Sequence, residues 1–386
     1  MVAGSIKVVQ MLPELNTGGV ERGTVEFAAY LAERGHASIV ISAGGRLTTV
    51  LRRQGSRHIS WKVGEKSPVA LQYIFRLRKL LMREQVDIVH VRSRLPAWIG
   101  YIAWKSLPKT LRPRFVTTFH GFYSVNPYSA VMCKGERVIA ISRQVAEHIE
   151  AVYGVPRDRI VIIHRGVDEN LFNPSAVCNS RVQRIRRQWR LSGPESPVIM
   201  LPGRFARWKG QDVFIKSLSL LKTLSWTAVC VGDTQENPSY AKELQRLIAQ
   251  EQLENRVRLA GFCEDMPAAY AVSDVVVSAS SSEPEAFGRI AIEAQAMGKP
   301  VIATAHGGSL ETVLDGETGW LVKFSDITAL AAALKEAIQS ASVREKRGKN
   351  ARRWVVENFT LKRMCDKTLA VYKQLIQQKK KDSGKL

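Results

Sequence analysis

The chain has 386 residues, 45% hydrophobic and 24% charged, with a formal net charge of +22 and a pI near 10.0. That balance suits two ordinary globular domains and excludes a disordered or fibrous chain. Five scattered cysteines with no Cys-x-x-Cys pair argue against a disulfide framework or zinc ribbon, and no apolar run approaches the ~18 residues of a spanning helix.

In the first half, strands and helices alternate. Strands are predicted at Ile6–Leu12, His36–Ser42, Ile59–Val63, Asp87–Val91, Phe115–Thr118, Val138–Ile141 and Ile160–Ile163. Helices are predicted from Val20 to Gly35, over 68–84 (basic and amphipathic), over Pro96–Ser106 and over 142–153. Residues 164–196 break this rhythm with Phe172-Asn173-Pro174, a basic helix at 180–190 and Ser192-Gly193-Pro194, so the domain boundary is expected there. Alternation resumes with strands at 198–201, 226–231, 257–259, 274–278 and 300–303. Helices are expected at 211–224, 239–252, 266–272, 288–297, 327–340, 343–357 and 361–378. Such alternation predicts an α/β protein of two doubly wound Rossmann-like domains, 1–175 and 176–360, facing a central cleft and binding ligands at the carboxyl ends of their strands.

Those strand ends carry the candidate chemistry. Thr17-Gly18-Gly19 opens a helix, either as an anion or sugar cradle or as an ordinary glycine turn. His120-Gly121 follows the strand 115–118, as a ligand contact or a structural histidine. After the strand 198–201 comes Gly203-Arg204-Phe205-Ala206-Arg207-Trp208-Lys209-Gly210. An arginine fork and a lysine point charge suit a diphosphate, although two solvated cations are the competing reading in so basic a chain. Glu285 lies in a loop, Phe287 and Gly288 offer amides at the helix mouth, and Glu293 lies about two turns in; the plain alternative is capping acids with a glycine turn. Eight helical residues would separate the two acids by about 12 Å, a poor spacing for a glycosidase pair. Neither Gly-x-Gly-x-x-Gly, a P-loop, His-Glu-x-x-His nor Asp-x-Asp occurs, so nicotinamide, P-loop and metal chemistry are not signalled.

In order, these pieces resemble family 4 of the retaining glycosyltransferases, which have the GT-B fold. The resemblance rests on Gly18-Gly19, Thr118-Phe119-His120-Gly121, Arg165-Gly166-Val167-Asp168, Gly203-Arg204 with Lys209-Gly210, and Glu285-Ala286-Phe287-Gly288 with Glu293. Met297-Gly298-Lys299-Pro300-Val301, Gly307-Gly308 with Glu311, and Gly319-Trp320-Leu321-Val322 complete it. It implies that Arg204 and Lys209 hold a donor diphosphate, that Glu293 accepts from ribose hydroxyls and that Glu285 accepts from the transferred sugar. It further implies that the Phe287 and Gly288 amides and Gly18-Gly19 approach the donor, that His120 binds sugar near the reacting centre, and that the segment 361–386 packs back on the first domain. On this resemblance His120, Glu285, Arg204 and Lys209 are expected to form the catalytic set; no metal or other cofactor is expected.

The expected reaction is transfer of a sugar from a nucleotide-diphosphate sugar to a hydroxyl of a membrane-associated glycan, of the lipopolysaccharide-core or related surface-polysaccharide type. Phe262, between Gly261 and Asp265, is expected to flank the base. Arg92 and Arg94, after the strand 87–91, are expected to bind an anionic acceptor, or else to form a solvated basic loop. The basic, aromatic segments 68–83 and 96–114 are expected to meet an anionic membrane surface, or else to be solvated faces with core aromatics. The start at Met1–Leu15 reads as a strand rather than as a signal peptide, and the expected location is cytoplasmic, peripheral on the inner membrane face. The competing functions are an epimerase or sugar phosphorylase of the same fold and, from the charge alone, a nucleic-acid-binding protein; nucleic acid is not the expected partner, since no recognition motif is present.

Overall fold

A computed structural model describes residues 4–16, 18–191 and 196–383. Thr17 and the expected break at Ser192-Gly193-Pro194 lie outside the described residues. The chain divides into two compact units, Met1–Arg165 with Leu361–Leu386, and Gly166–Thr360.

The first unit holds a seven-stranded sheet of β1 (Lys7–Met11), β2 (Ala37–Ser42), β3 (Arg57–Ser60), β4 (Ile88–Val91), β5 (Arg114–Phe119), β6 (Arg137–Ala140) and β7 (Ile160–Ile162). All pairs are parallel, in the order β3-β2-β1-β4-β5-β6-β7. Parallel strands need crossovers, and their runs of Val and Ile are buried because helices cover both faces. The chain reverses direction across the sheet between β1 and β4, the place where doubly wound sheets open a crevice. β3 begins two residues before its predicted start and ends at Ser60; a short helix, Thr48–Arg53, precedes it.

The long last helix, Leu361–Ser383, belongs to this unit. Its face of Met364, Cys365, Leu369, Tyr372 and Leu375 closes the core formed by Val8, Phe27, Leu31, Ile88, Val116 and Ile139. Tyr372 is wholly buried, edge-on to Phe27 with ring centroids 5.7 Å apart.

The second unit holds β8 (Val198–Pro202), β9 (Thr227–Val231), β10 (Val257–Gly261), β11 (Val275–Ser278), β12 (Val301–Thr304) and β13 (Gly319–Val322). Again all pairs are parallel, in the order β10-β9-β8-β11-β12-β13, so the reversal falls between β8 and β11. β13 was not among the predicted strands, and the helix expected at 211–224 stops at Ser219.

The boundary lies at Arg165/Gly166, ten residues before the expected end of the first domain. Residues 166–175 attach to the second unit: Val167 donates to Phe359 O at 2.9 Å, Phe172 meets Tyr270 edge-on at 6.0 Å, and Arg352 donates to Phe172 O at 3.3 Å.

Candidate active site

In the second unit the loops after β8 and β11 meet at the reversal point. Gly210 adopts φ +70°, and a Cβ there would run into the carbonyl oxygen of Ala279. Only glycine tolerates both the left-handed backbone and so close an approach. Ser281 N donates to Trp208 O at 2.7 Å, stitching the two loops together. Lys209 Nζ is thereby brought into a short ion pair with Glu285 Oε1, with side chains 12% and 13% exposed. Ser280 Oγ also donates to Glu285 Oε1 at 3.4 Å. The Glu285 backbone is pinned as well: Gly308 N donates to its carbonyl at 2.6 Å, and Gly307, at φ +65°, leaves room for that carbonyl.

Arg204 stands apart from this pair. It is exposed, and its side chain has no ion-pair partner among the described residues. A fixed carboxylate, a lysine beside it and an open arginine at one end of a sheet form a charge pattern suited to a ligand with phosphate and hydroxyl groups.

The helix Arg289–Ala296 starts after Gly288, which has φ +87° at its N-cap. Phe287 is buried, its ring edge-on to Phe359 with centroids 5.7 Å apart. Glu293 is buried. Tyr270 OH donates to its Oε2 at 3.1 Å, and Arg289 Nε lies 3.5 Å from Oε1. Phe262 is 52% exposed after β10, but Asp265 is already engaged. Arg181 grips it at 2.6 and 2.9 Å and Arg184 at 2.8 Å, while it caps the helix Met266–Val272 through Ala268 N. The Arg181 hydrogen bonds hold its carboxyl below the usual range.

In the first unit, His120 follows β5 and accepts at Nδ1 from Arg165 Nη2 at 2.5 Å. Arginine can only donate, so in neutral His120 the proton is on Nε2. Burial, then the neighbouring charges of Arg165 and Arg92, hold its pKa well below 6.5. That Nε2 is shielded from solvent and has no hydrogen-bond partner among the described residues. Gly18 is the N-cap of the helix Gly19–Glu33 with no side-chain cap, and the Glu21 carboxylate folds back over it. An anion approaching that helix mouth would have to displace Glu21.

The expected pair Arg92 and Arg94 is split, which corrects the picture of one solvent-facing basic loop. Arg92 is buried, and its Nε and Nη2 donate to Gln10 Oε1 at 3.0 and 2.7 Å. β4 lies beside β1, so the residue after β4 is drawn onto a polar side chain of β1 rather than into water. Arg94 is half-buried between the rings of Tyr123 and Tyr128, at 5.2 and 5.4 Å, and reaches Ser129 Oγ at 3.5 Å. Sequence reasoning gave no role to Arg165, His90 or Tyr372. Wholly buried His90 bridges Thr118 Oγ1 and Tyr372 OH, each at 2.6 Å, linking the last helix to the strand that ends before His120. Only the buried position of His90 in β4 hinted at this. With Phe27 and Thr368, the residues His90, Arg92, Thr118 and Arg165 line a cavity of about 20 Å³, room for one water.

Comparison with known proteins places these features in context. The family of glycosyl transferases group 1 matches residues 182–354, and Glycosyltransferase Family 4 matches residues 17–171. A glycosyltransferase from Rickettsia africae is 36% identical, with a TM-score of 0.89 over 97% of this chain and 99% of that one. A D-inositol 3-phosphate glycosyltransferase of Xylanimonas cellulosilytica is 35% identical over 207 residues; the match spans 53% of this chain and about half (49%) of that protein's length. Anabaena HepE, solved with UDP and glucose, shares the fold at a TM-score of 0.80 and 24% identity over 95% of this chain and 99% of that one.

Proposed function

The chain belongs to the group 1/family 4 glycosyltransferases of GT-B fold, and from that premise we propose that it moves a sugar from a nucleotide-diphosphate sugar to a hydroxyl of an anionic, membrane-associated glycan, with retention. The observation that carries the donor half is the Lys209–Glu285 pair at the β8/β11 reversal, with Arg204 exposed in the loop that leads to Lys209. HepE, of the same fold, holds UDP and glucose, which supports a nucleotide-sugar donor.

In this reading Lys209 leaves Glu285 for the diphosphate, Arg204 takes a second oxygen pair, and Glu285 is released to accept from the sugar hydroxyls. Glu293 accepts from the ribose hydroxyls, Phe262 flanks the base, and the Phe287 and Gly288 amides face the donor. Gly18-Gly19 approaches the diphosphate once Glu21 moves. The sugar–phosphate C–O bond breaks with its electron pair going to phosphate. The acceptor oxygen bonds to the same face, and its proton passes to the leaving phosphate oxygen. The protein's work is positioning and stabilising the leaving charge, which the two cations supply without a metal. His120 Nε2–H, a donor lacking a partner, is directed to a sugar oxygen.

The name of the X. cellulosilytica relative includes a phosphorylated acceptor, which supports an anionic one here. Arg94 is the better placed of the two arginines; Arg92 acts from inside the unit. The finer assignment, to lipopolysaccharide core or a related surface polysaccharide, accords with the basic first half. Among the described residues no helix is long and apolar enough to cross a membrane. Docking at the inner face of the cytoplasmic membrane would use Val69, Leu71 and Phe75, exposed beside Lys66, Arg76 and Lys79. The segment 96–114 contributes less, because Trp98 and Trp104 bond inward to Tyr128 O and Pro113 O at 2.9 and 2.6 Å.

A thermal-shift panel of UDP, GDP and ADP with their sugars tests the reading. One nucleotide series should raise Tm, since a ligand that binds only the folded state stabilises it. No shift with any member would overturn it.

A further inference from the structure

Next to Glu285 stands an aromatic surface that the donor reading leaves unused. His306, after β12, and Phe324, after β13, stack with ring centroids 5.1 Å apart and planes 23° from parallel. The imidazole is anchored: its Nε2 lies 2.9 Å from Ser280 O, and Ser280 Oγ donates to Glu285. Two residues further on, Gly308 N binds the Glu285 carbonyl. The stack is therefore tied to Glu285 on two sides, through Ser280 to its carboxylate and through Gly308 to its backbone carbonyl.

Phe324 nevertheless remains 48% exposed. One face lies on the imidazole, so the opposite face and edge are what solvent reaches. Leaving half a phenyl ring in water forgoes about 1 kcal/mol or more of burial. The next residue, Ser325, adopts φ +57°, a left-handed backbone uncommon for any residue but glycine. Lys323 O and Asp326 N close this turn at 3.4 Å, and Asp326 caps the helix Ile327–Gln339 through Ala329 N at 2.8 Å. The ring is thus held at the sheet's carboxyl edge by constrained backbone.

We infer that the open face of Phe324 is a saccharide subsite that stacks on the apolar face of an acceptor pyranose. The electron-rich π face attracts the weakly positive C–H bonds on one side of such a ring. A flat, uncharged platform beside a hydroxyl-binding carboxylate suits a sugar ring, which has one apolar and one hydroxyl-bearing aspect. This inference rests on the proposed donor function, because it needs Glu285 to lie at the sugar.

The test is saturation-transfer NMR with maltotriose on the full chain, in the presence of the nucleotide diphosphate that raises Tm. Transfer to the pyranose C–H protons is expected for the parent, to fall about threefold or more in F324A, and to be retained in F324W. F75A, which removes a phenyl ring 75% exposed in the first unit, should not change it. Absence of transfer in the parent, or equal transfer in parent and F324A, would overturn the subsite. So would an F324A protein in which the nucleotide shift is lost as well, since the ring would then belong to nucleotide recognition. Failure of the donor reading is read separately, as the absence of any nucleotide shift in the parent.

Discussion

Arg165 Nη2 lies 2.5 Å from Nδ1 of His120, so a permanently protonated guanidinium sets the tautomer of the imidazole at the end of β5. The unpartnered Nε2–H is the consequence, and a buried donor without an acceptor costs about 1–3 kcal/mol, which the proposed contact with a sugar oxygen would relieve. R165M should therefore lower kcat for sugar transfer about ten- to a hundredfold and leave the Kd for the nucleotide diphosphate unchanged. R165K, which keeps a donor, should recover part of the loss. A kcat equal to the parent's would show that the tautomer does not matter.

The Lys209–Glu285 pair and exposed Arg204 respond differently to substitution. R204A should weaken nucleotide-diphosphate binding about tenfold by calorimetry and leave Tm alone, because that side chain makes no ion pair among the described residues. K209A should weaken binding similarly and also lower Tm, since it strands a largely buried carboxylate. Combined with E285A, the stability loss should be less than additive by about 0.5–3 kcal/mol, the mark of two groups in contact.

Acid sensitivity should begin near neutrality. Burial holds the pKa of His90 and of His120 well below 6.5 in the fold, whereas both protonate near that value when unfolded. The unfolded state then binds more protons as pH falls below 6.5, so stability is complete above that pH and is lost below it. Each histidine contributes up to about 1.4 kcal/mol per pH unit. Urea midpoints between pH 7.5 and 5 should fall steadily, and H120N should flatten the slope. A pH-independent midpoint would contradict the buried neutral assignment.

The last helix is tied to the first unit by Tyr372 and His90. Y372F removes one buried partner of His90 and should lower stability by about 1–3 kcal/mol, read as a drop in Tm with little change in nucleotide affinity.

Membrane docking has its own readout. Flotation with anionic vesicles should be salt-sensitive, and a variant combining F75A, R76E and K79E should lose it, because each Lys or Arg near such a surface contributes roughly 1 kcal/mol. Binding that persists in this variant would move the docking face elsewhere.

All seven strands of the first sheet and five of the six in the second could be read from the chain, because buried parallel strands are mostly short Val/Ile runs separated by helical periods, a pattern set by neighbours in sequence; β13, Gly-Trp-Leu-Val, lacks such a run. The placement of Gly203-Arg204, Lys209-Gly210 and Glu285 to Glu293 on a strand end, a glycine turn and a helix start was legible for the same reason, since those elements lie within a few residues of one another; the donor role of these residues is a proposal. What escaped depends on partners far along the chain. Arg92 looked like part of a surface loop, yet Gln10, 82 residues away, draws it inside. His90 and Tyr372 are 282 residues apart, and nothing local marks either one as the other's partner. Local periodicity and turn chemistry govern which elements form. Whether a polar side chain is buried, paired or left open to a ligand depends on which strands and helices become neighbours, and that is a property of the folded chain.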